Sequence, residues 1–242
     1  MVKREHMNIT WVPREELLIK GTEAIRHADV VLDIGCGIMP QRYVIPNIHI
    51  CCEPYEEYVE HLTKKIKSPE NKGADYLVFK MGWQDVVKYF PENSVDTIFL
   101  IDVIEHLEKE ESRNLLLATQ KIARSQVIVF TPWGFMPQHH SDGKDAWGLD
   151  GAIWQEHLSG WLPEDFDGDG WEFIASKDFH LNDNLNKSVK KPYGAFWAIK
   201  TNSEEKGISL IKSKIIAKYR HTLRRIRVRL SRLELKVKQK FR

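Results

Sequence analysis

Val30-Val31-Leu32-Asp33-Ile34-Gly35-Cys36-Gly37-Ile38-Met39-Pro40 is the stretch on which the fold turns. Its first five residues are mostly apolar and β-branched, the pattern of a strand buried on both faces. Gly35 and Gly37 follow as a small-residue turn, without the β-carbons that would hold a ligand off the backbone. In a doubly wound sheet the carboxyl ends of the strands form the binding crevice, so this turn belongs at its mouth. Glu53 closes the next apolar run, twenty residues after Asp33. A carboxylate there can accept hydrogen bonds from both hydroxyls of a ribose.

Working outward, apolar runs recur at 48–52, 76–79, 95–101 and 127–130, with helical stretches at 55–66 and 109–123 between them. Strand alternating with helix implies crossover connections and a mostly parallel sheet. After Phe130 the rhythm changes to about forty residues rich in Trp, Gly and His, then strand candidates at 171–175 and 195–200 that can pair antiparallel at a sheet edge. Five of the eight tryptophans lie in this insert: Trp133, Trp147, Trp154, Trp161 and Trp171. They suit either stacking on an acceptor over the crevice or a satellite core beneath a long loop. Asp165-Phe166-Asp167-Gly168-Asp169-Gly170 mimics a calcium loop, but Ser176 stands where the twelfth ligand belongs, and a polar turn is expected.

The composition narrows the class. The chain has 242 residues, 42% hydrophobic and 29% charged, enough for one globular domain with an appendage. Three cysteines, two of them adjacent, make no disulfide framework, and a reducing cytosol is the expected setting. No apolar run approaches the ~20 residues needed to cross a bilayer, and the amino end carries no apolar signal segment.

The net charge of +2 conceals a split. Residues 206–242 hold fourteen Lys and Arg against Glu234 alone (+13), and the remainder holds 22 against 33 acids (−11). Domains are therefore expected at 1–204 and 205–242. In the tail, Ile208, Ile211, Ile215, Tyr219, Leu223, Ile226, Leu230, Leu233, Val237 and Phe241 form one helical stripe among basic residues. An anionic membrane surface satisfies both faces of such a helix. Self-association or docking on the acidic body covers the stripe, and nucleic acid answers the charge alone.

The turn after the first strand also discriminates between cofactors. The dinucleotide fingerprint has a third glycine where this chain has Pro40, which lacks an N–H and fixes its own φ. Asp33 would repel a pyrophosphate but attract a cationic amino acid and a sulfonium. Together these favour S-adenosylmethionine (SAM) over a nicotinamide dinucleotide.

Val31-Leu32-Asp33-Ile34-Gly35-Cys36-Gly37 resembles the SAM-binding motif of class I methyltransferases (type 11/23-like), and 95–107, ending Asp102-Val103-Ile104-Glu105-His106-Leu107, resembles their fourth strand and following turn. Order and spacing agree over about residues 25–200, with Met39-Pro40 departing where many members carry a further glycine. The resemblance implies a Rossmann-like seven-stranded mostly parallel sheet, order 3-2-1-4-5-7-6, with helices on both faces, followed here by the basic amphipathic tail. It implies SAM as cofactor. Asp33 would lie near the methionine moiety, with Gly35, Cys36 and Gly37 in backbone contact with it. Glu53 would hold the ribose. Gly82 and Trp83 would meet the adenine, with Trp83 equally open to a core role, and Asp102 would stand where the fourth strand opens on cofactor and substrate.

Methyl transfer needs a nucleophile held in line with carbon and sulfur, and a hydroxyl nucleophile gains from a general base. His106 and His157 are the candidates. Asp102, Glu105 and His106 with a later histidine also resemble the divalent-ion cluster of some methyltransferases. Asp-x-x-Glu-His occurs in metal-free relatives as well, and no metal is expected. His157-x5-Pro163-Glu164-x-Phe166 resembles a helix start found in enzymes of cell-surface glycan assembly, which tilts the expected acceptor towards a glycan or small-molecule hydroxyl. The alternatives are an RNA methyltransferase gripping phosphate with the tail, or a catalytically silent SAM-fold scaffold. The expected location is cytoplasmic, peripheral at the inner membrane face where the tail binds lipid.

Overall fold

Alternate residues of the buried strands serve opposite faces of one sheet. In Val30–Ile34, Leu32 and Ile34 join one core and Val31 the other. The same alternation holds at Val95–Ile101, where Ile98 and Leu100 face one way and Phe99 the other. The computed structural model describes residues 8–140, 142–182 and 188–202. Its strands are β1 (Ile9–Trp11), β2 (Val30–Ile34), β3 (Ile48–Glu53), β4 (Asp75–Lys80), β5 (Val95–Ile101), β6 (Ala123–Pro132), β7 (Trp171–Asn182) and β8 (Ser188–Thr201). The helices are α1 (Arg14–Ala24), α2 (Glu56–Lys65), α3 (Trp83–Tyr89) and α4 (Lys109–Ile122).

The sheet runs β1-β7-β8-β6-β5-β2-β3-β4. All neighbours pair parallel except β6 with β8 and β7 with β8. The expected count of seven is corrected to eight, and the expected order is corrected at one edge. There Ile9–Trp11 pairs parallel with Phe173–Ala175, and the other seven strands follow one another as expected. Three residues, followed at once by Val12 and Pro13, are too short for alternation to show, so this strand leaves no signal in the sequence.

Helices cover both faces. Val86 of α3 and Leu115, Leu116 and Ile122 of α4 join the Leu32 core, while Leu17 of α1 joins the Val31 core. α4 follows the usual helix rules: Glu110 and Glu111 sit in its first turn, Lys121 in its last, and its buried residues fall on one face. α1 has no such stripe. It is anchored at Gly21, where a β-carbon would meet Trp197 Nε1 at 2.2 Å, and at Leu17, whose carbonyl accepts that indole N–H at 3.1 Å. Only glycine lets the helix lie so close to β8.

The helix start expected around Pro163 is corrected as well. Pro163–Asp165 is a single 3-10 turn, with Asp165 Oδ2 accepting the Leu162 N–H at 2.8 Å, and the chain then bends into β7. The boundary at 204/205, the amphipathic helix over 205–242 and the partners assigned to it lie outside the described residues. Among the described residues no helix is long and apolar enough to cross a membrane.

Candidate functional site

The carboxyl ends of β2, β3 and β5 and the segments after them open on a cleft of about 910 Å³. Asp33, Gly35, Cys36, Gly37, Glu53, Gly82, Trp83, Asp102 and His106 all line it, so nine of the ten site residues expected from the sequence meet at one place. His157 is the exception. It does not line the cleft but packs its ring against His106, the centroids 4.8 Å apart and near-perpendicular at 66°.

The glycine turn is built as its residue types demand. Gly35 and Gly37 have φ of +68° and +58°, the left-handed region that side chains with a β-carbon avoid. A β-carbon on Gly35 would lie 2.9 Å from Val103 Cγ2, and one on Gly37 would lie 2.9 Å from the Trp147 ring. Gly35 N–H donates to Cys52 O at 2.8 Å. Glu53 is 4% exposed and accepts from Gly37 N–H at 2.9 Å and from Tyr55 N–H at 3.0 Å. The carboxylate expected to hold a ribose therefore also holds the turn. Burial pushes its pKa up to about 7, against the two backbone N–H groups that favour the charge, with Asp33 adding to the rise.

Asp33 is fixed by two partners: Gln41 N–H donates to its Oδ2 at 2.8 Å, and His49 Nε2 lies 3.2 Å from the same oxygen. His49 escaped the sequence reading because it sits inside the apolar run Ile48-His49-Ile50, in register with Val31. The available signal was a lone polar residue in an otherwise buried strand. Burial works against its charge, but hydrogen bonds with Asp33 and Cys51 outweigh this and raise it to about 9. The three cysteines are unbridged. The Cys36 thiol, hydrogen-bonded to Cys51 and buried, is raised well above its ordinary value, whereas that same bond lowers Cys51.

The turn after β5 gathers the remaining groups. Asp102 has a φ of +51°, and its N–H donates to Phe130 O at 2.9 Å. It opens on the cleft with protein on its other sides. This poor solvation lifts its carboxyl to about 7, with Glu105 acting in the opposite direction. Glu105 is 2% exposed, and burial followed by the Asp102 charge drives its pKa well up. Its Oε2 accepts from Thr131 Oγ1 at 3.0 Å, and its carboxyl also shares a hydrogen bond with that of Asp102. His106 Nδ1 meets Glu156 O at 2.9 Å and His157 Nδ1 meets Met136 O at 2.6 Å. Burial, then His157, holds His106 at about 4, and burial lowers His157 too. One ligand atom from each of Glu105, His106 and His157 lies within 4.8 Å of the others, and Asp33, Cys36 and Cys51 form a second such group.

The insert divides its tryptophans between the two roles. Trp161 is fully buried, and its Nε1 donates to Ser159 Oγ at 3.0 Å and Ile104 O at 3.3 Å. Trp133 packs on Phe196 and Trp11, and Trp171 on Phe166. Trp147 and Trp154 line the cleft. Trp83 does both, packing on the core and lining the cleft, and its buried Nε1 has no hydrogen-bond partner among the described residues. The insert is bolted to the turn after β5: Leu158 N–H and Ser159 N–H both donate to Glu105 O, at 2.8 and 3.0 Å. Lys109 Nζ spans the joint, donating to Gly160 O and to Asp165 Oδ2.

No family model matches the chain, and no curated protein matches it. Solved structures similar to it include the cyclopropane synthase MmaA2 from Mycobacterium tuberculosis, at 18% identity over 49% of this chain and 42% of that one, with a TM-score of 0.37. Thus the chain spans less than half of that protein. Magnesium protoporphyrin IX methyltransferase from Synechocystis PCC 6803 with bound SAM matches at 12% identity over 76% of this chain and 74% of that one, TM-score 0.42. The N-terminal domain of EvdMO1 with S-adenosylhomocysteine bound matches at 11% identity, 79% and 82% coverage, and a TM-score of 0.46.

Proposed function

We propose that the chain is a SAM-dependent methyltransferase that methylates a hydroxyl of a small-molecule or glycan acceptor. One observation carries the reading. A turn with two left-handed glycines is clasped by the Glu53 carboxylate at the mouth of a cleft that offers no cluster of cationic side chains for a diphosphate. Arg42 is the one Lys or Arg among the described residues lining it. The residues present fit the cofactor. Each Glu53 oxygen accepts one backbone N–H and keeps capacity for a ribose hydroxyl. Asp33 and Asp102 bring negative charge to where the amino acid and sulfonium belong, and Trp83 and Gly82 edge the space for a purine. Bound there, SAM supplies an electrophilic methyl group and a neutral leaving group.

The chain's own groups do the rest. Trp147 and Trp154 wall the acceptor side and shed water from it. His106, with Nδ1 engaged by the Glu156 carbonyl, keeps Nε2 to orient the acceptor hydroxyl and take its proton. His157 sets the His106 ring in place.

Two outcomes test this. Calorimetry with SAM should show one site per chain, and transfer of tritiated methyl to a glycan or small-molecule fraction of a lysate should exceed transfer to RNA or protein. Absence of SAM binding ends the proposal, and labelling of RNA redirects it. Glu53 adds a pH signature. Its carboxyl is raised to about 7, so below that pH the diol-accepting form is depleted. SAM affinity should drop by about tenfold per unit as pH falls below 7. Glu53→Gln should remove that slope and weaken SAM by about tenfold or more at pH 8. A flat profile in the wild type takes Glu53 out of the binding site.

A further inference from the structure

Residues 145–151 of the insert rest against α2 beside the cleft, and one buried side chain organises them. Asp145 is 6% exposed. Its Oδ1 accepts the N–H groups of Trp147 and Leu149, at 2.8 and 2.9 Å, and its Oδ2 accepts the Tyr58 hydroxyl at 2.5 Å. We propose that Trp147 is a cofactor-binding residue whose ring closes over the ribose of SAM, and that Asp145 is the positioning residue that sets it there. The proposal rests on the methyl-transfer reading of the cleft.

Three observations aim the indole at the cofactor as well as at the acceptor. First, Trp147 lines the cleft, and its ring stands so close to the glycine turn that a β-carbon on Gly37 would lie 2.9 Å from Cη2. Gly37 in turn gives its N–H to Glu53 Oε2, so the ring and the carboxylate proposed for the ribose diol share one neighbour. Second, the ring packs edge-on against Tyr58, which lines the same cleft, with centroids 5.0 Å apart at 77°. Third, Trp147 is 44% exposed. A sugar face laid on that indole would take apolar surface out of water on both sides.

The setting is built to hold the ring. Burial, then the Asp145 hydrogen bond, drives the Tyr58 phenol up, so it remains a donor throughout the neutral range. Gly151 leaves room for the hydroxyl, since a β-carbon there would overlap it. Two exposed ties add to the joint: Asp150 N–H donates to Glu57 Oε2 at 3.2 Å, and Lys144 Nζ to Asp150 Oδ1 at 2.5 Å. An exposed ion pair contributes little, whereas a buried hydroxyl on a carboxylate is a charge-assisted bond. The hold on Trp147 therefore lies in Asp145 and Tyr58.

The test measures SAM alone on the full chain, without acceptor, so a change cannot come from the acceptor wall. Calorimetry gives the affinity, and rapid filtration follows the release of tritiated SAM. Trp147→Ala should weaken SAM by about tenfold, through faster release. Asp145→Ala keeps the indole but frees its loop, and should speed release by about fivefold or more. Asp145→Asn keeps an oxygen for the Trp147 and Leu149 N–H groups, and should restore release to within about twofold of the wild type. Lys144→Ala removes only the exposed pair and should also stay within about twofold. Melting curves accompany every variant, because a purely structural role for Asp145 would lower melting without changing release. If Asp145→Ala does not fold, Tyr58→Phe takes its place, losing the hydroxyl alone and releasing SAM about threefold faster. Wild-type binding with unchanged release from Trp147→Ala, or from the Asp145→Ala or Tyr58→Phe partner variant, overturns the proposal and leaves the methyl-transfer reading standing. No SAM binding by the wild type overturns both.

Discussion

Gly35→Arg abolishes SAM binding while the sheet stays folded: that is the expected result, and two independent costs produce it. The first is conformational. Gly35 has a φ of +68°, and an L side chain pays roughly 1–2 kcal/mol there. The second is steric. A β-carbon would sit 2.9 Å from Val103 Cγ2, and the rest of the arginine would enter the cleft that Gly35 lines. Affinity should fall by more than about 100-fold, equivalent to at least about 2.7 kcal/mol. Gly35→Ala carries the backbone cost and the contact but does not fill the cleft, and should lose about tenfold. Calorimetry measures both, and circular dichroism with a melting curve shows whether the fold survives. SAM affinity unchanged in the arginine variant would mean the ligand sits elsewhere.

Trp161→Ala should be the most destabilising change in the insert, at about 3–5 kcal/mol. The indole is fully buried in the Leu32 core, carries the Lys109 ammonium 4.1 Å from its ring, and donates from Nε1 to Ser159 Oγ and Ile104 O. Removing it leaves a cavity and takes one donor from each of those oxygens. The Ile104 carbonyl keeps Ser112 and Ser159 as donors, so the damage concentrates on packing. For a domain of this size, melting should fall by roughly 10 °C. Trp161→Phe, which keeps most of the volume, should lose less than half as much. Urea unfolding of the three proteins checks the order. Equal stability of alanine variant and wild type would show that the insert is not anchored through this residue.

How much of this could be read beforehand depends on the range of the interaction responsible. The glycine turn and Glu53 were legible because a left-handed turn selects glycine and a strand buried on both faces selects apolar β-branched residues, both local effects. β1 and α1 were not. Ile9–Trp11 is too short to show a period, and α1 is held by Gly21 against Trp197 across nearly the whole described chain. His49 was hidden for the opposite reason: its run reads as core, and its partner Asp33 lies on the neighbouring strand. His106 and His157 were both legible as chemically able residues. Their meeting was not, because it depends on the hydrogen bonds from Leu158 and Ser159 to the Glu105 carbonyl. The five insert tryptophans could not be sorted from composition, since a wall and a satellite core use the same ring. Only the register with Phe196 and Phe166 separates them.

The short strand at the start has a practical corollary. By pairing with Phe173–Ala175, and through the Val12 N–H to Ala175 O bond at 2.9 Å, it shields the flank of the β7–β8 hairpin. Proteins shortened past residue 12 would present that bare ribbon to one another, and such ribbons zip up. They should elute as multimers and precipitate on warming, so any recombinant version intended for enzymology ought to retain those first dozen residues and carry its purification handle elsewhere.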